Sequence, residues 1–206
     1  MSNNIDHVFY INLDKRPDRK EMMKSELVKY GLTAERFTGI YYSPPMGIVG
    51  CGKSHLQVLE LAKSRKYKNV LIFEDDFYFT EPKQVVEDCL HHFFTAKPNF
   101  DVCFLSQNLI SGTVDEINPQ FTHVTRSISA SGYIVNEHYY DKLIELYTWA
   151  MPLLEQTHAH WIYANDQVWK SLQERDNWYC FTKPLGRQRD GISDNGDGIT
   201  VVYYDC

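Results

Sequence analysis

Along the first half of the chain, short apolar runs that stop on polar residues alternate with longer stretches whose apolar residues recur every three or four positions. This pattern predicts strands and helices in turn. Residues 8–11 form the first apolar run and end at Asn12-Leu13-Asp14. Arg16-Pro17-Asp18 then opens a helix that places Met23, Leu27 and Tyr30 on one face, with Gly31 where a left-handed cap would fall. Residues 36–40 predict a second strand, and Ser43-Pro44-Pro45 a loop. From Ser54 onward Leu56, Leu59 and Ala62 mark a helix with a basic end, which suits the helix dipole. Residues 70–73 predict a buried strand that runs directly into Glu74-Asp75-Asp76. A helix over residues 83–94 and a strand over 101–105 complete an alternation characteristic of an α/β sheet.

The second half is less regular. Residues 121–125 and 133–135 predict two strands, and Tyr140, Leu143, Ile144 and Tyr147 a helix ending before Pro152. A further helix starts at Asn165-Asp166, residues 178–181 predict a strand, and residues 186–198 form a tail rich in Gly, Asp and Arg. Such a polar tail suits the wall of a site.

At 206 residues, with 43% hydrophobic and 14% aromatic content, the chain is long enough for one domain with a sizeable core and too apolar for disorder. The net charge of −6 gives no attraction to phosphate backbones, so nucleic acid is not expected as a partner. The apolar stretch at residues 69–73 is far too short to cross a bilayer, and residues 1–6 are too polar for a signal peptide. These features predict no transmembrane segment and a soluble, cytoplasmic protein. The five cysteines, Cys51, Cys89, Cys103, Cys180 and Cys206, form no Cys-x-x-Cys pair, so reduced and mostly buried thiols are expected. Their spacing supports neither a zinc site nor a catalytic thiol.

Two motifs carry candidate chemistry. Residues 47–54 fit the letter of the phosphate-loop pattern G-x-x-x-x-G-K-[ST], with Lys53 and Ser54 as its functional pair, and would make the protein a nucleotide hydrolase or kinase. That loop requires a buried strand immediately before its first glycine, whereas Pro44 and Pro45 precede it here. A tight turn into a helix, with Ser54 near the cap, is the other reading. The triplet Glu74-Asp75-Asp76 stands at a strand end, where α/β sheets bind ligands, and clustered carboxylates there suit Mn²⁺ or Mg²⁺. It also reads as a solvated acidic turn.

Four blocks in order resemble the signatures of glycosyltransferase family 25: residues 10–19 (Tyr10 to Arg19), the stretch Gly50-Cys51-Gly52-Lys53-Ser54-His55, residues 71–76, and Ser131-Gly132-Tyr133-Ile134-Val135. Asn165-Asp166 and residues 188–194 are similar to the family's last blocks, whereas Gly52-Lys53 departs from the small apolar residues usual there. The resemblance implies a Rossmann-like GT-A fold with a mostly parallel central sheet. The donor part would lie within about residues 1–110 and the acceptor side and tail within 111–206. It implies metal-dependent, inverting transfer of a hexose, galactose or glucose, from a UDP-sugar to a hydroxyl of a glycan, lipid-linked glycan or protein. Ile11, Asn12 and Leu13 would face the base and ribose, with Arg16 and Arg19 near the diphosphate. Ser54, His55, Gly132 and Gln188 would serve the donor, and Glu74 or Asp75 the ribose or a metal-bound water. Asp76 would bind Mn²⁺ or Mg²⁺, and Asp166 would be the base, with Asp194 its rival or a metal-site residue. A catalytically silent sugar-nucleotide-binding module is a further alternative. His158, His160, Trp161 and Tyr163 suggest a sugar platform or core packing. At this length a shallow, open acceptor cleft is expected.

Overall fold

Val70 to Phe73 have no exposed surface, and their side chains alternate between two cores as the period of a strand requires. Val70 and Ile72 join the core that includes Val58, Leu59 and Leu143, whereas Leu71 and Phe73 join the core that includes Leu27, Val86 and Phe93. A strand covered on both faces explains the unbroken apolar run in the sequence.

The computed structural model describes residues 4–195 and 200–201. Its strands are β1 (His7–Asn12), β2 (Glu35–Thr38), β3 (Asn69–Glu74), β4 (Phe77–Phe79), β5 (Val102–Val114), β6 (Phe121–Asn136), β7 (Trp178–Phe181), β8 (Gly186–Gln188), β9 (Gly191–Ile192) and β10 (Thr200–Val201). Its helices are α1 (Pro17–Tyr30), α2 (Gly47–Ser64), α3 (Lys83–Ala96), α4 (Tyr140–Thr157) and three single turns, α5 (His160–Tyr163), α6 (Asn165–Val168) and α7 (Lys170–Gln173). The central sheet has the order β2-β1-β3-β6-β5-β7. Only β6 runs against its neighbours, so the sheet is mostly parallel, with α2 and α4 on one face and α1 and α3 on the other. Because β1 and β3 are parallel, Asn12 and Glu74 emerge at the same edge.

The observed elements depart from the predicted ones where polar residues or glycines carry the structure. The strands expected at 121–125 and 133–135 are one strand, β6, whose middle is polar. Its buried serines are bonded: Ser127 N donates to Gln173 Oε1 (2.7 Å) and Ser131 Oγ to Ser106 Oγ (2.8 Å). β5 extends past residue 105, and from Asn108 on it is an exposed ribbon paired with β6. α4 continues through Pro152 to Thr157 because buried Met151 and Leu154 hold its last turns to the core despite the lost hydrogen bond. Cys51, Cys89, Cys103 and Cys180 are free thiols, and Cys206 lies outside the described residues. No helix among the described residues is long and apolar enough to cross a membrane.

The phosphate loop does not form. α2 begins at Gly47, seven positions before the helix the pattern predicts, so the would-be loop is already helical, and residues 39–46 before it are not a strand. The glycines serve close packing instead. A Cβ on Gly50 would stand 2.1 Å from the Ile40 carbonyl oxygen, and one on Gly52 2.3 Å from Met151 Sδ. Ser54 Oγ donates to the Gly50 carbonyl (2.7 Å) and accepts from Ile40 N (2.8 Å). Lys53 Nζ bonds Tyr42 Oη and Glu155, each at 2.6 Å.

In an ordinary helix interior Gly→Ala stabilises by about 1 kcal/mol. Here the new methyl group meets backbone, so Gly50→Ala is expected to destabilise the fold by about 2 kcal/mol, read from the midpoint of denaturant unfolding.

Candidate functional site

The edge at which β1 and β3 end is where the acidic triplet stands, and each of its carboxylates is met by a different set of partners. Asn12, almost fully buried, donates from Nδ2 to Asp75 Oδ2 (2.7 Å) and to the Arg16 carbonyl (3.0 Å). Its own Oδ1 accepts from Arg36 Nε at 2.9 Å. Arg19, in the first turn of α1, spans two acids, with Nη1 3.1 Å from Asp75 Oδ1 and 3.0 Å from Asp76 Oδ2. Glu74 Oε1 lies 3.0 Å from His55 Nε2 and accepts from Cys51 Sγ (3.4 Å), while Oε2 accepts from Gln188 Nε2 (3.3 Å). Asp76 Oδ1 is buried and has no hydrogen-bond partner among the described residues.

The electrostatics follow from these contacts. Burial, reinforced by the charge of Glu74, pushes the Asp76 carboxyl up to about 7. Burial raises Asp75 as well, against its bond from Asn12 and the charge of Arg19. Glu74 is pushed up by burial too, but its hydrogen bonds with His55 and Cys51 and the nearby charge of Arg19 together leave it below its usual value.

A pocket of about 780 Å³, part of it open to solvent, is bounded by the ends of β1 and β3, the first turns of α2, residues 39–42 and the tail from Gln188 to Asn195. Ile11, Asn12, Leu13, Arg19, Ser54, His55, Glu74, Asp75, Asp76, Gln188 and Asp194 all line it. A second cleft of about 490 Å³ shares Cys51, Glu74, Gln188 and Asn195 with the first and contains Asp166. Asp166 Oδ2 accepts from Ser129 N (3.1 Å) and Oδ1 from Gln167 Nε2 (3.2 Å), and burial raises its carboxyl despite these bonds.

Two residues expected at the donor do not line the larger pocket. Arg16 is not in the pocket wall: its guanidinium is held by Asp18 (2.8 Å) and Asp194 (2.5 Å). Gly132 lies beneath Phe77, whose ring would stand 2.7 Å from a Cβ there, so the glycine lets β6 pack closely against that ring. Asp194 is paired with Lys15 (2.7 Å) as well as Arg16, and these bonds overcome burial to hold it ionised, which leaves it poorly suited to accept a proton. Trp161 is 65% exposed and therefore not core.

Tyr41, Tyr42 and Arg189 also line the pocket and were not anticipated. The tyrosines follow β2, whose end lies beside that of β1, so the strand-end rule that singled out the triplet applies to them equally. Arg189 lies in the polar tail expected to wall a site, but nothing in the sequence singles it out within that tail. It reaches the pocket because its backbone N–H bonds the Asp76 carbonyl (2.8 Å) while its guanidinium bonds Glu26 (3.2 Å) and lies over the Tyr78 ring.

The sequence profile described as "Glycosyltransferase family 25 (LPS biosynthesis protein)" matches residues 45–156, more than half of the chain. A "Glycosyltransferase 25 family member" of Drosophila pseudoobscura pseudoobscura is 31% identical over 101 residues, covering 36% of this chain and 16% of the relative. "Procollagen galactosyltransferase 1-A" of Xenopus laevis is 29% identical over 138 residues, covering 54% of this chain and 22% of the relative. The matches thus span between a sixth and a quarter of those proteins. Among solved structures, A197 from STIV superposes with a TM-score of 0.55 at 10% identity, covering 98% of this chain and 96% of that one. UDP-glucose pyrophosphorylase complexed with UDP-glucose superposes at 0.50 with 6% identity, covering 89% and 74%. These likenesses are of fold, and with the strand order they bear out the Rossmann-like GT-A architecture expected from the sequence.

The raised Asp76 carboxyl carries a stability signature. A proton bound more tightly in the folded than in the unfolded state makes stability fall as pH rises from about 4 through about 7. In the presence of a chelator, Asp76→Asn is therefore expected to melt at a higher temperature than wild type at pH 8. The gap should narrow as pH falls and close only below about pH 4, where Asp76 is neutral in the folded and the unfolded chain alike.

Proposed function

The chain belongs to glycosyltransferase family 25, and from that membership and the two adjoining cavities we propose that it transfers a hexose, galactose or glucose, from a UDP-sugar to an acceptor hydroxyl with inversion. The observation that carries the reading is the unpartnered, buried Oδ1 of Asp76 in a pocket at the ends of parallel strands. A carboxylate oxygen removed from water and left without a donor is costly, and a cation would meet that need.

The donor set fits a hard divalent ion. Asp76 would hold Mn²⁺ or Mg²⁺, with Asp75 beside it, and both offer oxygen only. When bound, the ion would supply positive charge to a departing diphosphate. Arg19 and Arg189 line the same pocket and add cationic charge from the protein itself. Ile11, Asn12 and Leu13, at the end of β1, form the wall assigned to the base and ribose. Tyr41 and Tyr42 add aromatic surface on the facing loop.

Asp166 is the base of this proposal. Its oxygens are oriented by Ser129 N–H and Gln167, and burial raises its affinity for a proton. It stands in the cleft that adjoins the donor pocket, where the acceptor would enter. The acceptor hydroxyl gives its proton to Asp166 as its oxygen bonds the anomeric carbon, and the bond from that carbon to the diphosphate breaks with UDP leaving. The glycan, lipid-linked glycan or protein that carries the hydroxyl is the acceptor class proposed.

The test is nucleotide release from UDP-, GDP- and CMP-sugars and ATP, with and without Mn²⁺. UDP release from one donor that requires Mn²⁺ and is lost in Asp76→Asn is expected. Asp166→Asn should lower kcat by about 10²-fold or more, whereas Lys53→Ala, whose side chain lines neither cleft, should retain turnover. Hydrolysis of ATP alone, abolished by Lys53→Ala, would sink the proposal.

A further inference from the structure

We propose a second, chemically distinct metal site in this protein, a Zn²⁺ site formed by Cys51 Sγ, His55 Nε2 and Glu74 Oε1. These three ligand atoms all lie within 4.8 Å of one another. Cys51 and His55 are four positions apart on α2 and so project from one face, one turn apart, while Glu74 arrives from the end of β3. Because the third ligand comes from another element, the spacing of the cysteines carries no zinc signal, and the sequence reading missed the set.

The hydrogen bonding shows that the three side chains converge on one point. Cys51 donates to Glu74 Oε1 at 3.4 Å, and His55 Nε2 lies 3.0 Å from that same oxygen. A carboxylate only accepts, so in the neutral ring the proton sits on Nε2, and Nδ1 accepts from Tyr133 Oη at 2.8 Å. A cation among the three atoms replaces both inward-pointing protons. The Cys51 proton leaves to solvent, and the His55 proton moves to Nδ1, from which it is donated to Tyr133 Oη. That outer hydrogen bond is the usual support of a metal-bound imidazole. Gln188 Nε2, 3.3 Å from Glu74 Oε2, steadies the carboxylate in the same way.

Ligand chemistry separates this site from the one proposed at Asp76. Thiolate and imidazole favour Zn²⁺ over Mg²⁺ or Mn²⁺, and three protein ligands with a side open to a cavity match a zinc site that keeps a free position. Cys51, His55 and Glu74 all line the larger pocket, and Cys51 and Glu74 line the second cleft too, so the ion would sit where the two cavities meet.

Cobalt(II) is the probe, added to the full chain in excess Mg²⁺ so that oxygen-only sites are filled. Wild type is expected to bind one Co²⁺ with a near-ultraviolet thiolate-to-metal charge-transfer band that Zn²⁺ bleaches. Cys51→Ser, whose hydroxyl can still donate to Glu74 and whose melting temperature reports its folding, should lose the band and bind Zn²⁺ at least about tenfold more weakly. Cys89→Ser and Asp76→Asn should keep the band. Absence of the band in wild type, its survival in Cys51→Ser, or its loss in Asp76→Asn would each overturn the proposal, and none of these readouts depends on sugar transfer.

Discussion

Three carboxylates leave consecutive backbone positions at the end of a strand that is covered on both faces, and the rest of the site is organised by how each of them is compensated. A buried charge is tolerated only when paired and hydrogen-bonded. Asp75 takes Asn12 and Arg19, Glu74 takes His55, Cys51 and Gln188, and Asp76 takes the remaining bond of Arg19. These partners come from β1, α1, α2 and β8. Compensating the triplet therefore brings four separate elements to one sheet edge, and among the described residues it leaves a single one of its oxygens without a donor.

Glycines set how closely the second wall can approach. Gly50 lets α2 press against the Ile40 carbonyl, and a Cβ on Gly47 would stand 1.8 Å from the Asp194 carbonyl oxygen. Gly47 and Gly52, the glycines that spell a phosphate loop on paper, thus have a packing role. The motif matched by letter and failed by context, because that loop needs a buried strand leading into it, whereas here no strand precedes and the motif itself is helical.

Much of the sheet was legible because its central strands are continuous apolar runs ending on polar residues, and the parallel order follows from their alternation with helices. The middle of β6 was not, since Ser127, Ser129 and Ser131 are held by side-chain hydrogen bonds rather than by hydrophobicity. Within the site, Asn12, Glu74 and Asp76 were visible as strand-end polar residues. The separation of Arg16 from Arg19 was not: both start the same helix, but only Arg19 turns toward the triplet, while Arg16 is claimed by Asp18 and Asp194. Long-range ion pairing of that kind has no local sequence signature. Arg189 lies in the tail expected to wall a site, but the backbone bond to Asp76 that fixes its place there has no signature in the sequence.

The clamp of Lys15 and Arg16 on Asp194 joins the first loop of the chain to its tail. Gly191 and residues 193–195 complete a pocket whose opposite wall begins at Ile11. During synthesis, the six-stranded sheet has all its strands once residue 181 has emerged, yet at that moment the acidic edge faces water with no tail across it. A nascent chain can thus have a settled core while this pocket is still unbuilt, and the triplet remains hydrated until residues 188–195 dock.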